Sequence, residues 1–245
     1  MNADCIQIHL NSANADSYND NNFSDCNFYL PIIELPLQHT IMLSVQSCVI
    51  PYTFYNISSS NNTLIYMENS IQKTVIIAEG NYNAINLASY LTLNMPNFTI
   101  KYNSISNKLT FTNSSFNFTF SNNSTCFILL GISITNLSST NKIYTSSACV
   151  NLLSKTCLCI QSNLPTSNIN HKNLSEGNIL VSFPVNVPPY SLITFQNSNN
   201  FKTNLNSNTL SYINIKIIDQ NNDIVNLNGC FFSLTLQIDV LDFVN

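Results

Sequence analysis

The stretch Ser211-Tyr212-Ile213-Asn214-Ile215-Lys216-Ile217 alternates isoleucine with other side chains at a strict period of two. Side chains on an extended chain point alternately to opposite faces, so this pattern makes a strand with one buried face. Directly after it, Asp219-Gln220-Asn221-Asn222-Asp223 is a cluster of turn formers, and Leu227-Asn228-Gly229 is a second turn signal. The last strand sets Phe232, Leu234, Leu236, Ile238 and Val240 against Ser233, Thr235, Gln237 and Asp239.

The same texture covers 157–161, 178–183 and 191–196, and it returns near the N-terminus in Ile6-Gln7-Ile8-His9-Leu10, in 26–30 and in 40–50. Over 40–50, Ile41, Leu43, Val45, Ser47 and Val49 fall on one face. Pro51 cannot donate to a ladder and ends that strand. The polar stretch 11–22 reads as a loop or arm. Many short strands separated by turn signals predict a β sandwich or barrel.

The middle of the chain differs. Glu79-Gly80-Asn81-Tyr82-Asn83 leads into 84–93, where Ile85, Ala88 and Leu91 share a helical face with Leu87 beside them. Asn83 suits the N-cap, and Pro96 blocks continuation. Short strands follow at 98–102, 108–112 and 116–120, then a helical turn over 124–130 that ends at Gly131. The flanking strands need each other to complete a sandwich. The reading is therefore a discontinuous β domain, 1–57 plus 149–245, with an α+β domain, 58–148, inserted in it.

Charge is scarce. Only 8% of the 245 residues are charged, with 43 Asn, 8 Lys and no Arg. A typical domain carries about 25% charged residues. Nucleic-acid binders neutralise phosphates with Lys and Arg, so a chain with net charge -4 and no Arg is not one of them. Arg clamps for phosphate or carboxylate substrates are excluded too. A weakly charged, amide-rich surface favours self-association. Met1-Asn2-Ala3-Asp4 lacks the basic start and apolar run of a signal peptide. The longest apolar stretch, 126–132, is far too short to span a bilayer. Without an export signal, the eight Cys read as reduced, mostly buried thiols.

No constellation carries catalysis. His9, His39 and His171 are the only histidines, and none lies near a metal-type Cys pair. Cys157-Leu158-Cys159 puts two thiols on one strand face, but its single intervening residue is too few for a zinc knuckle. Asp219 with Asp223, and Asp239 with Asp242, are the closest late carboxylate pairs, the first in a turn where Asp bonds locally. Asp16, Asp20 and Asp25 lack the Gly and closing Glu of an EF-hand, so they read as a solvated loop. Phe116, Phe118 and Phe120 at period two read as the buried face of a strand. With four Gly there is no phosphate loop, and no Gly-x-Ser-x-Gly elbow occurs. The reading is no enzyme, no catalytic residues, no cofactor and no metal.

Three stretches resemble the penton, or minor capsid, proteins of virophages and Polinton-like viruses. The first is Leu43-Ser44-Val45-Gln46-Ser47-Cys48-Val49-Ile50-Pro51-Tyr52-Thr53-Phe54-Tyr55-Asn56-Ile57, a strand that ends in a Pro-Tyr-x-Phe-Tyr-Asn turn. The second is Glu79-Gly80-Asn81-Tyr82 before a helix, with Leu129-Leu130-Gly131 about fifty residues on. The third is the closing hairpin, from Ile217-Ile218-Asp219 through Val225-Asn226-Leu227-Asn228-Gly229 to Ser233-Leu234-Thr235-Leu236. The resemblance implies a single jelly roll that forms homopentamers at icosahedral vertices, partners the major capsid protein, resides in the virion and is assembled in the host cell cytoplasm. The alternative from a different class is a receptor- or glycan-binding fibre-head module, with the insertion as its binding head.

Overall fold

The computed structural model describes residues 4–21, 23–35, 39–153, 155–168 and 178–242. Strands β1 (Asp4–Asn11), β2 (Ser17–Tyr18), β3 (Asp25–Glu34) and β4 (His39–Pro51) come first. The middle segment holds β5 (Thr63–Glu68), β6 (Ile71–Ile76), helix α1 (Ala84–Asn94), β7 (Phe98–Asn103), β8 (Lys108–Asn113), β9 (Phe118–Phe120), helix α2 (Phe127–Leu130) and β10 (Ile143–Thr145). The chain closes with β11 (Cys157–Ser162), β12 (Asn178–Pro184), β13 (Leu192–Gln196), β14 (Thr203–Asn204), β15 (Thr209–Asp219) and β16 (Ser233–Asp242).

The pairing outside the middle segment is nested. β1 pairs with β16, β3 with β15, β4 with β13 and β11 with β12, all antiparallel. A long antiparallel hairpin rolled up in this way is a jelly roll of eight strands. Rolling puts β1-β16-β4-β13 in one sheet, with β14 also on β4, and β12-β11-β15-β3-β2 in the other. The inward residues of both sheets, among them Leu10, Phe28, Leu43, Leu158, Ile193, Ile213, Ile215 and Leu236, fill one core.

One inward set departs from simple alternation. Against β4, Thr235 faces Ser47 but Leu236 faces Val45. Gln46 is therefore one residue too many on β4, a β-bulge that reverses the facing of all that follows. The core positions are Ile41, Leu43 and Val45, then Cys48 and Ile50. Ser47 and Val49, expected beside Ile41, are instead only partly buried and outside the core.

Contacts divide the chain into Met1–Phe54 with Lys155–Asn245, and Tyr55–Ser154. The second unit begins earlier and ends later than the 58–148 expected from sequence. Ile57 is bridged to Gly80 and packs in the middle core. Val150 packs in that core too, and its N–H donates to Asn107 O at 2.8 Å. The joint is set by which core an apolar residue fills, and no turn signal marks that choice.

The middle unit has two three-stranded sheets, β6-β5-β9 and β10-β8-β7, and helix α1. Asn83 Oδ1 caps α1 by accepting from Asn86 N at 2.8 Å. Leu87, Ala88 and Leu91 are its buried residues; Ile85, expected to share that face, is 65% exposed. Phe118 and Phe120 are buried on β9, whereas Phe116 lies before the strand and is 44% exposed. Helix α2 ends at Gly131 with φ 69°, the left-handed conformation of a helix C-cap. Strands β5 and β6 have no counterpart in the sequence reading.

Candidate assembly surfaces

Alternation in β1, β4 and β16 sends a second set of side chains to the outer face of the first sheet. There the cross-strand neighbours bond to one another. His9 Nδ1 lies 3.1 Å from Thr235 Oγ1, and Gln7 Nε2 donates to Gln237 Oε1 at 3.3 Å. Gln237 Nε2 donates to Asp239 Oδ1 at 2.8 Å, and Lys202 Nζ stands 2.9 Å from Asp239 Oδ2. Burial alone would raise the Asp239 carboxyl, but the hydrogen bonds from Lys202 and Gln237 outweigh it and hold the pKa below the usual value.

The outer face of the second sheet carries a longer ladder. Tyr29 and Tyr212 are register partners with ring centroids 5.4 Å apart. Tyr212 OH donates to Asn27 Oδ1 at 2.7 Å, and Asn214 Nδ2 donates to the same oxygen at 2.9 Å. Asn27 Nδ2 reaches Ser17 Oγ on β2 at 3.0 Å. At the next rung, Lys216 Nζ is 3.3 Å from Asp25 Oδ2. Both outer faces thus carry amides, hydroxyls and aromatic rings, many of them bonded to one another across the strands.

The buried carboxylates are paired with lysines. Asp25, Asp219, Asp239 and Glu68 are almost wholly buried, and each faces a lysine: Lys216, Lys155, Lys202 and Lys73 respectively. A buried carboxylate requires such a counter-charge. Lysines already scarce in the sequence are held on internal carboxylates, which leaves still less charge at the surface. Asp219 Oδ1 also accepts from Asn221 N at 2.8 Å and Asp223 N at 3.1 Å, which shapes the turn after β15.

At one edge of the roll, β12 and β13 are the last strands of opposite sheets. A cleft of about 540 Å³ lies along them, lined by Ile179, Val181, Ser182, Phe195, Asn197 and Phe201 among others. The sequence reading singled out none of these residues, nor Lys155, Lys202 and Lys216 as counter-ions. Their partners lie far away in sequence, and no local spacing announces them.

The groups singled out for chemistry are dispersed. His9 is on β1 and His39 begins β4, while His171 lies outside the described residues, as do Met1, Asn2 and Ala3. Asp242 is described by its backbone alone, so its side chain is not placed beside Asp239. Among the described residues no three His, Cys, Asp or Glu gather as metal ligands. All eight Cys are free thiols. Cys157 Sγ lies 2.9 Å from Ser182 Oγ, and burial is the main cause that raises the neighbouring Cys159 thiol. Asp16 Oδ2 accepts from Tyr29 N at 2.7 Å, and Asp20 Oδ1 from Ser24 N at 3.1 Å; Asp25, expected in a solvated loop with them, is buried on its ion pair. No helix of the described residues is long and apolar enough to cross a membrane.

No family model matches the chain, and no curated protein matches it in sequence. Solved structures do match. The chain superposes on the mavirus penton protein with a TM-score of 0.54, over 97% of this chain and 100% of that one, at 12% identity. The chain has the penton-protein fold. A chain of the Sputnik virophage structure matches with a TM-score of 0.46 at 11% identity, over 96% of this chain and 97% of that one. In this chain the penton fold interposes the α+β unit between β4 and β11. The two surfaces are the outer faces of the penton fold's jelly roll.

Proposed function

We propose that this chain is a structural capsid subunit, a penton-type minor capsid protein that forms pentamers at the vertices of an icosahedral shell beside a major capsid protein. It acts in the virion, is assembled in the host cell cytoplasm, and performs no catalysis. The observation that carries this reading is the full-length likeness to the mavirus penton protein. The weakly charged, amide-rich outer faces of the roll support it, because copies approach with little electrostatic repulsion. Closed rings form from heterologous contacts, so one side of the roll meets a different side of its neighbour. Each such contact buries at least about 1,000 Å² in total. Native mass spectrometry of the purified protein, alone and mixed with the major capsid protein, tests the reading. A pentamer is the expected species. A stable trimer overturns it in favour of the receptor- or glycan-binding fibre head.

A further inference from the structure

The middle unit holds one carboxylate deep in its core. Glu68 is 2% exposed, on the face of β5 that also buries Leu64 and Tyr66. Lys73 on β6 is the register partner of Tyr66, so its side chain shares that inner face. Lys73 Nζ donates a short hydrogen bond to Glu68 Oε2. From the other sheet, Asn113 at the end of β8 donates Nδ2 to Glu68 Oε1 at 2.7 Å. One carboxylate thus bridges a lysine amine and an asparagine amide.

The amide is held in a reactive attitude. Asn113 is 2% exposed, and its Oδ1 accepts from Ser115 N at 2.8 Å and from Phe116 N at 2.9 Å. With the carboxylate on one side and two N–H donors on the other, the amide has a single orientation. The two N–H groups are placed to stabilise negative charge on Oδ1, as an oxyanion hole does. Aromatic residues neighbour the cluster: Phe118 is the register partner of Glu68 and Phe98 of Asn113, with Tyr66 against Phe98 at 5.2 Å and Phe98 against Phe118 at 4.7 Å. The carboxylate itself is 2% exposed, so little water solvates it.

We propose that Lys73 and Asn113 condense into an intramolecular isopeptide bond, with Glu68 as the proton carrier, so that the two sheets of the middle unit become covalently joined. Nζ passes a proton to Glu68 and attacks Cγ, and the developing oxyanion rests on the N–H groups of Ser115 and Phe116. The intermediate collapses, the Cγ–Nδ2 bond breaks, and a second Nζ proton follows the first through Glu68 to the departing nitrogen. Lysine ammonium and asparagine amide become a secondary amide and ammonium, Glu68 is regenerated, and no oxidant or reductant is needed. The Lys73 side chain is 35% exposed, which leaves a path for ammonia to escape. Holding amine and amide on one carboxylate supplies the proximity that makes such condensations feasible.

Intact mass spectrometry of the folded full-length protein tests this without any variant. The expected mass is lower than the sequence mass by one ammonia, and digestion yields a branched peptide that joins Lys73 to Asn113. In Asn113→Asp the condensation expels water instead, so that variant's mass falls by one water. Glu68→Gln slows bond formation by roughly 10²-fold or more, the usual scale for loss of an acid–base group. A full sequence mass after prolonged incubation of the wild-type protein overturns the proposal. So does an ammonia loss that persists in Lys73→Met, since it then arises from a succinimide such as Asn228-Gly229 can form. These outcomes do not depend on the oligomeric state.

Discussion

Lys202 Nζ lies 2.9 Å from Asp239 Oδ2, and it joins the segment before β14 to the last strand of the roll. Lys202→Met leaves the Asp239 carboxylate buried without its cation. Removing one partner of a fully buried pair costs about 3–5 kcal/mol. Partial exposure of the lysine reduces this to about 1–3 kcal/mol here. Urea unfolding measures it, and Lys202→Met with Asp239→Leu should recover most of the loss.

The same ion pairs give stability a defined pH dependence. Glu68 and Asp239 both have folded pKa values below their ordinary ones: burial opposes this, but bonds from Lys73 and Asn113, and from Lys202 and Gln237, prevail. Their contribution is complete above the unfolded values, about 3.9 for Asp and 4.3 for Glu, and is lost as pH falls through the folded ones. Until it condenses with Asn113, Lys73 is shifted upward by its hydrogen bond to Glu68, so its contribution holds below about pH 10.4 and disappears as pH rises through the folded value; the condensed protein lacks this contribution. The urea midpoint should drop below about pH 4, stay flat from about pH 5 to 8, and fall again above about pH 8.5, the unfolded thiol value, because burial raises the folded Cys26, Cys48 and Cys126 thiols to about 12. In Glu68→Gln with Asp239→Asn the acid drop should be shallower.

Gly131 has φ 69°, and a Cβ there would stand 2.3 Å from Ala148 O and 2.7 Å from Cys149 O. Gly131→Ala combines about 1–2 kcal/mol of left-handed strain with a clash against backbone. Gly229 has φ 79° but open space around its missing Cβ, so Gly229→Ala should cost only the strain. Thermal melts of the two variants should separate clearly, with Gly131→Ala much the lower.

Thiol labelling should sort the cysteines by depth. Cys26, Cys48 and Cys126 are buried, and burial is the main cause that pushes each thiol up to about 12. Iodoacetamide at about pH 8 should leave these three unmodified in the native protein, because the thiolate is the reactive form. Cys149 and Cys5 are exposed and should label, Cys5 slowly because burial and Asp239 raise its pKa. Peptide mass mapping reads the pattern.

The Tyr29–Tyr212 pair tests the assembly surface. Tyr29 is largely exposed, so Tyr29→Glu should cost the isolated chain only about 0.5–1.5 kcal/mol, the scale of the lost ring pair with Tyr212. It would set a third carboxylate near Asp16 and Asp25 on a face that, under the proposed assembly, meets a neighbouring copy. Loss of the pentamer in native mass spectra, with the isolated chain still folded, is the expected result.

The strands of the roll were legible because isoleucine and leucine alternate with polar residues almost without interruption, as in β15 and β16. The bulge at Gln46 was not, since an extra residue changes facing without changing composition, and Cys48 and Ile50 look no more core-like than Val49. Strands β5 and β6 were hidden for another reason. Their hairpin turns on Asn69 and Ser70, both with positive φ, where glycine would have been the recognisable signal. Leu64-Ile65-Tyr66-Met67 is a continuous apolar run with no period to read. The Glu68 cluster was equally invisible, because Asn113 is one asparagine among 43. Only the fold brings it to a carboxylate 45 residues away.

The nested pairing also orders events on the ribosome. Gln7 on β1 finds its partner Gln237 only after 230 further residues exist. Contacts between strands so distant in sequence form slowly. The middle unit has no such delay, since all its strands lie within Tyr55–Ser154. At 5–20 residues per second, synthesis of the chain beyond residue 154 takes about 5–20 s. During that interval a finished middle unit would coexist with an open roll whose first strands expose an unpaired apolar edge. Chaperone capture of β1 to β4 before β16 emerges would therefore govern the yield of folded protein.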